Sequence, residues 1–87
     1  MSFNLAQNYP NPFNPVTTIN FTLPKAGKVS LKIYNMLGQE VATLIDGHRT
    51  AGLYNVKWNA ENFASGMYIY RLTSGTQSFS NKMLLIK

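Results

Sequence analysis

The feature that most constrains this chain is a two-residue rhythm of apolar and polar side chains, broken about every ten residues by turn formers, which is the pattern of half-buried strands. In residues 18–23 the apolar set is Ile19, Phe21 and Leu23. Pro24-Lys25-Ala26-Gly27 then turns the chain. Residues 28–33 repeat the alternation, with Val29, Leu31 and Ile33 on one side and Lys28, Ser30 and Lys32 on the other. Asn35-Met36-Leu37-Gly38 is the next turn, and residues 40–45 form a further strand whose less regular alternation points to a bulge or an edge. Asp46-Gly47 and Ala51-Gly52 are expected to bracket a loop around His48. Residues 53–58 place Tyr54, Val56 and Trp58 on one face. Residues 59–66 read as a polar loop anchored by Phe63. Residues 67–73 are apolar on both faces, as a central strand is, and Ser74-Gly75-Thr76 is a short hairpin connection to the last strand, residues 77–87.

No segment carries a helical period. About seven strands in a chain of 87 residues bury their single apolar faces by packing two antiparallel sheets together. The expected fold is an all-β, immunoglobulin-like antiparallel β-sandwich. Residues 1–87 are expected to form one such domain, with 1–15 as a proline-rich extended lead. In that lead Pro10, Pro12 and Pro15 each fix φ and remove an amide donor, and push Tyr9, Asn11 and Asn14 toward extended geometry. Phe13, set among them, is expected to plug one end of the core.

The residues offer little for catalysis. Cysteine is absent, which excludes disulfides, thiolate metal sites and a cysteine nucleophile. The single histidine, His48, has one aspartate near it, Asp46, and is read as solvated. A glycosidase needs two carboxylates flanking one bond. Glu40 and Asp46 sit six positions apart on one strand, about 20 Å when extended, too wide for that pair. Asp46 and Glu61 lack the spacing of a calcium loop. No phosphate-binding loop is present, and no cofactor is expected. Asn20-Phe21-Thr22 matches the glycosylation pattern but falls within a strand. Trp58, Tyr34, Tyr54, Tyr68 and Tyr70 could build a sugar- or base-stacking platform. Inward parity assigns Tyr54, Trp58, Tyr68 and Tyr70 to the core instead.

The formal net charge of +5 raises nucleic acid or an anionic surface as a partner. The cations are scattered, with no two adjacent, so solubility or docking to an acidic surface is the better reading, and no nucleic-acid partner is expected. Residues 1–10 carry no Lys, no Arg and no apolar run, so they are not a signal peptide, and no stretch is apolar over the length a membrane span needs. If the domain is exported, its signal lies on a longer parent chain, of which Met1-Ser2 would be the cut start. The final Lys82-Met83-Leu84-Leu85-Ile86-Lys87 is apolar on both faces. Such a strand should be central, covered, or open to a partner through strand addition.

Three of these stretches together resemble a known family. Asn8-Tyr9-Pro10-Asn11-Pro12-Phe13-Asn14-Pro15 resembles the opening motif of the type A C-terminal sorting domain of type IX secretion. Gly66-Met67-Tyr68-Ile69-Tyr70-Arg71 resembles its later Gly-x-Tyr strand, and residues 82–87 its closing basic-apolar strand. Leu37-Gly38-Gln39-Glu40-Val41 and Gly52-Leu53-Tyr54 also fit, so the resemblance runs from Leu5 to Lys87. It implies a non-catalytic domain at the C-terminus of a larger cargo protein. The cargo would cross the inner membrane, pass through the periplasm, and leave for the cell surface or exterior. The implied partners are an outer-membrane translocon, its shuttle protein and a sortase-like peptidase. The same resemblance extends to the immunoglobulin-like part of the flagellar hook-capping protein, which keeps a structural role open. The recognition residues it implies are Tyr9, Pro10, Asn11, Pro12, Phe13, Asn14 and Pro15 in the opening, Gly66 and Tyr68 in the middle strand, and Lys82, Met83, Leu85 and Lys87 at the close. The rival expectation is a carbohydrate-binding or structural immunoglobulin-like accessory module of a secreted enzyme.

Overall fold

The computed structural model of the chain describes residues 2–87. It contains seven strands: β1 (Asn4–Leu5), β2 (Val16–Leu23), β3 (Gly27–Asn35), β4 (Glu40–Arg49), β5 (Gly52–Asn59), β6 (Gly66–Ser74) and β7 (Gln77–Leu85). They form two antiparallel sheets, ordered β1-β2-β5 and β4-β3-β6-β7. The connections β2–β3, β4–β5 and β5–β6 cross between the sheets. This is the immunoglobulin-like sandwich that the alternation called for. Among the described residues no helix is long and apolar enough to cross a membrane.

The core is built by strand parity. Ile19, Phe21 and Leu23 from β2, Val29, Leu31 and Ile33 from β3, Tyr70 and Leu72 from β6, and Met83 and Leu85 from β7 are all buried. Each such side chain stabilises the fold by about 1.5–3 kcal/mol of transfer free energy, an upper bound. The aromatic residues close one end. Trp58 is 4% exposed and lies 5.9 Å from the Phe13 ring, 5.3 Å from Phe63 and 5.5 Å from Tyr68. Phe13 is the expected plug, and Phe63 is the expected loop anchor. The Tyr68 hydroxyl donates to the Ala64 carbonyl at 2.6 Å, tying the start of β6 back to the loop before it. Immunoglobulin-like domains use the same device, the tyrosine corner. Tyr34 alone of the five candidate platform aromatics lies on the outer face, where the Arg71 guanidinium sits 5.4 Å from its ring.

Two local expectations need correction. The chain does not loop out around His48. β4 runs on to Arg49, with Gly47 opposite Val29 and His48 opposite Lys28. Asp-Gly is a turn signal, but pairing along β3 overrides it, because a glycine is tolerated within a strand at modest cost. Only Thr50 and Ala51 connect β4 to β5. The lead is also more than a lead: its Asn4 and Leu5 form β1, opposite Thr22 and Phe21. The expected irregularity in β4 is present. Its register to β3 shifts between Leu31 and Lys32 and again between Ile33 and Tyr34, and β4 is a sheet edge. The β6–β7 hairpin turns on Gly75, whose φ of 61° suits the first position of a two-residue turn.

Candidate functional site

The opening motif and the closing strand, far apart in sequence, meet along one seam. The opening is not the extended segment expected: it bends at residues 10–12 and again at 14–15, and the Tyr9–Pro10, Asn11–Pro12 and Asn14–Pro15 peptide bonds are cis. The lead first pairs with the three-stranded sheet: Tyr9 and Thr18 exchange backbone hydrogen bonds at 2.8 and 2.9 Å. It then crosses to the other sheet. Phe13 N donates to the Leu84 carbonyl at 3.0 Å, and Ile86 N donates to the Phe13 carbonyl at 3.0 Å, a parallel bridge onto β7. The Leu84 amide donates to Asn11 Oδ1 at 3.0 Å, and Gln7 Nε2 donates to the Lys82 carbonyl at 2.8 Å. The lead therefore covers the outer edge of β7 from Lys82 to Ile86.

Beneath the seam is a closed polar network. The Tyr70 hydroxyl donates to the Ala6 carbonyl and accepts from the Asn8 amide, both at 2.8 Å, while Asn81 Nδ2 donates to it at 3.3 Å. Burial pushes the Tyr70 hydroxyl above its ordinary pKa of 10.0, against the lowering effect of the Asn81 and Asn8 donors. Asn8 Nδ2 donates to Thr17 Oγ1 at 2.9 Å, and Thr17 Oγ1 donates to the Pro10 carbonyl at 2.8 Å. Asn8 and Thr17 are the buried polar residues of the fold, and no buried side-chain polar atom among the described residues lacks a partner. Satisfied buried networks fix one geometry, because a displaced member leaves its neighbours without partners. At the far end, Lys87 N donates to Ser65 Oγ at 3.1 Å and Lys87 Nζ donates to the Glu61 carbonyl.

The thirteen candidate recognition residues divide by burial. Phe13, Tyr68, Met83 and Leu85 are buried and hold the two segments in place. Tyr9, Pro10, Asn11, Pro12, Asn14, Lys82 and Lys87 are exposed, with Pro15 and Gly66 half-buried. Tyr9 is 78% exposed. Gln7, Asn8, Thr17, Tyr70 and Asn81 belong to the seam, although none was among the candidate recognition residues and Gln7, Thr17 and Asn81 lie outside the resembling motifs. Two of them carried a signal: Thr17 shares the inward parity of Ile19 and Phe21, and Asn81 that of Met83 and Leu85. A polar residue at an inward position needs a buried partner.

Depressions of about 230–300 Å³ lie elsewhere among the described residues, and the three best formed are lined by no acid and no histidine. His48 is exposed on β4. Among the described residues no group of three histidines, cysteines or acids could hold a metal ion. The one ion pair found among them is Lys32–Glu40 at 3.3 Å, on the outer face of the four-stranded sheet. Thr43 chiefly, and then Lys32, hold the Glu40 carboxyl below its ordinary pKa.

No curated protein matches the chain. A family model does, that of the secretion system C-terminal sorting domain, and it matches residues 7–87. The match begins at Gln7, where the seam begins, and ends at Lys87, where the seam closes. The chain thus belongs to the family of C-terminal sorting domains of type IX secretion.

Proposed function

We propose that this domain directs a larger cargo protein on the same parent chain through the periplasm and the type IX translocon to the cell surface or exterior. It does so by recognition, without catalysis. The reader is the secretion machinery: the outer-membrane translocon, its shuttle protein and a sortase-like peptidase. What they read is the folded seam, a composite of the opening motif and the closing strand. The exposed residues Tyr9, Pro10, Asn11, Pro12, Asn14, Lys82 and Lys87 make contact, and Phe13, Tyr68, Met83 and Leu85 hold them in register.

The observation that supports this reading is the parallel bridge between Phe13 and Leu85, capped by the Asn11 side chain on Leu84 N. It puts both motif segments on one rigid surface. A pre-ordered surface binds without the entropic cost of arranging it. The test is export of a reporter enzyme fused ahead of the domain in a bacterium with type IX secretion. Deleting residues 82–87 should hold active reporter in the periplasm. Export at the wild-type level would overturn the reading.

A further inference from the structure

The lead leaves part of β7 open. Phe13 bonds to the Leu84 carbonyl and the Ile86 amide, so even-numbered positions of β7 turn their backbone groups away from β6. Ser78 and Ser80 are the next two such positions, and no described residue hydrogen-bonds to their outward amides or carbonyls. This edge is regular, since the nine pairs of β6 with β7 run without a register shift, whereas β4 at the opposite edge is broken by two. Natural edges are usually blunted, and a regular open edge is a template for another strand.

Charge selects the strand. Residues 77–82 contain no acid. Arg71 stands opposite Ser80 with its guanidinium over the Tyr34 ring of β3, and the exposed Lys82 lies on the same outer face one diagonal away. Glu40 and Asp46 lie on β4, at the other edge of the sheet. Phe79, on the other face of the strand, is 39% exposed and packs edge-on against Phe3, with ring centroids 5.0 Å apart. We infer that residues 78–81 of β7, flanked by Lys82, are a docking edge for an extended, acidic segment of a partner protein, which adds as a fifth strand. A second copy of this chain is disfavoured, because β7 against β7 would bring the Arg71 and Lys82 cations of both copies together.

The inference rests on the recognition reading and narrows the partner, but binding can be measured without secretion. The probes are a ten-residue peptide alternating threonine and glutamate, its threonine–lysine counterpart, and vesicles of phosphatidylglycerol. The glutamate peptide should shift the Ser78 and Ser80 amide signals in nuclear magnetic resonance and slow their hydrogen exchange. Ser80→Pro removes the outward donor but no ladder bond to β6, and should lower affinity by about tenfold or more. Arg71→Glu with Lys82→Glu should reverse the preference to the lysine peptide, and carries the test if Ser80→Pro does not fold. No shift at Ser78 and Ser80 at millimolar peptide overturns the inference. So does equal binding of the lysine peptide, binding to the vesicles alone, or a dimer that Ser80→Pro dissolves. In cells, a folded Ser80→Pro domain that is exported normally, while deletion of residues 82–87 blocks export, sinks the docking edge and leaves the recognition reading intact. Normal export of both sinks the recognition reading itself.

Discussion

Asn11 and Leu84 stand 73 positions apart in the chain, yet the Asn11 side-chain oxygen accepts the Leu84 amide proton at 3.0 Å. An asparagine before a proline commonly folds its side chain onto nearby backbone. Here it caps a strand from the other end of the chain. The site is exposed, so water replaces part of what is lost when the oxygen is removed. Asn11→Ala should therefore cost only about 0.5–1.5 kcal/mol in urea unfolding. Its local effect should be clearer: hydrogen exchange at the Leu84 amide speeds up. Asn11→Asp keeps an acceptor oxygen and should retain the protection.

The Tyr70 hydroxyl is the centre of the buried network, and Tyr70→Phe leaves the Asn8 amide and the Ala6 carbonyl without it. A buried donor left unpaired costs about 1–3 kcal/mol, which thermal unfolding would read. The pH dependence has a definite sign. Burial raises the Tyr70 pKa above 10.0 in the folded chain, so the folded state keeps its proton when the unfolded chain begins to lose it. The stabilising contribution is complete below the unfolded value and is lost as pH rises through the raised folded value. Urea unfolding at about pH 9 and about pH 11 should show a fall in stability that is smaller in Tyr70→Phe. An equal fall in both proteins would show that Tyr70 does not carry it.

Strand identity and facing were legible because period two is a local property: the alternating apolar sets of residues 18–23 and 28–33 are buried and that of 53–58 faces inward, while of the two-sided segment 67–73 Met67 is exposed. The seam was legible only in its parts. Pro10, Pro12 and Pro15 suggest an extended segment that the structure instead bends, residues 82–87 announce a two-sided strand, and nothing in either says that Phe13 lies beside Leu85. That adjacency depends on the sheet order β4-β3-β6-β7, which leaves β7 at an edge. The loop misread around His48 has the opposite cause. Asp46-Gly47 is a strong local signal, and pairing with β3 outweighs it.

Trp58 separates a core role from a sugar-stacking one. At 4% exposure its indole contacts Phe13, Phe63 and Tyr68. Its fluorescence should be blue-shifted, resistant to quenching by iodide, and unchanged on titration with soluble polysaccharides. Trp58→Ala removes the hub of the aromatic end of the core and should cost about 3–5 kcal/mol. A fluorescence change that saturates with added polysaccharide would show instead that the indole lies open to a sugar.

Tyr9 and Tyr68 separate holding the fold from being read. Tyr68 is buried, and its hydroxyl makes the 2.6 Å bond to the Ala64 carbonyl. Tyr68→Phe should therefore lower stability by about 0.5–1.5 kcal/mol. Any loss of export should then follow the unfolded fraction and recover on cooling. Tyr9 is 78% exposed, and its bonds to Thr18 are made by its backbone alone. Tyr9→Ala keeps those bonds and should leave stability within about 0.5 kcal/mol, as surface substitutions usually do. If the seam is what the secretion machinery reads, Tyr9→Ala should nonetheless reduce export of a fused reporter, and cooling should not restore it. Full export by a folded Tyr9→Ala domain would remove this ring from the recognised surface.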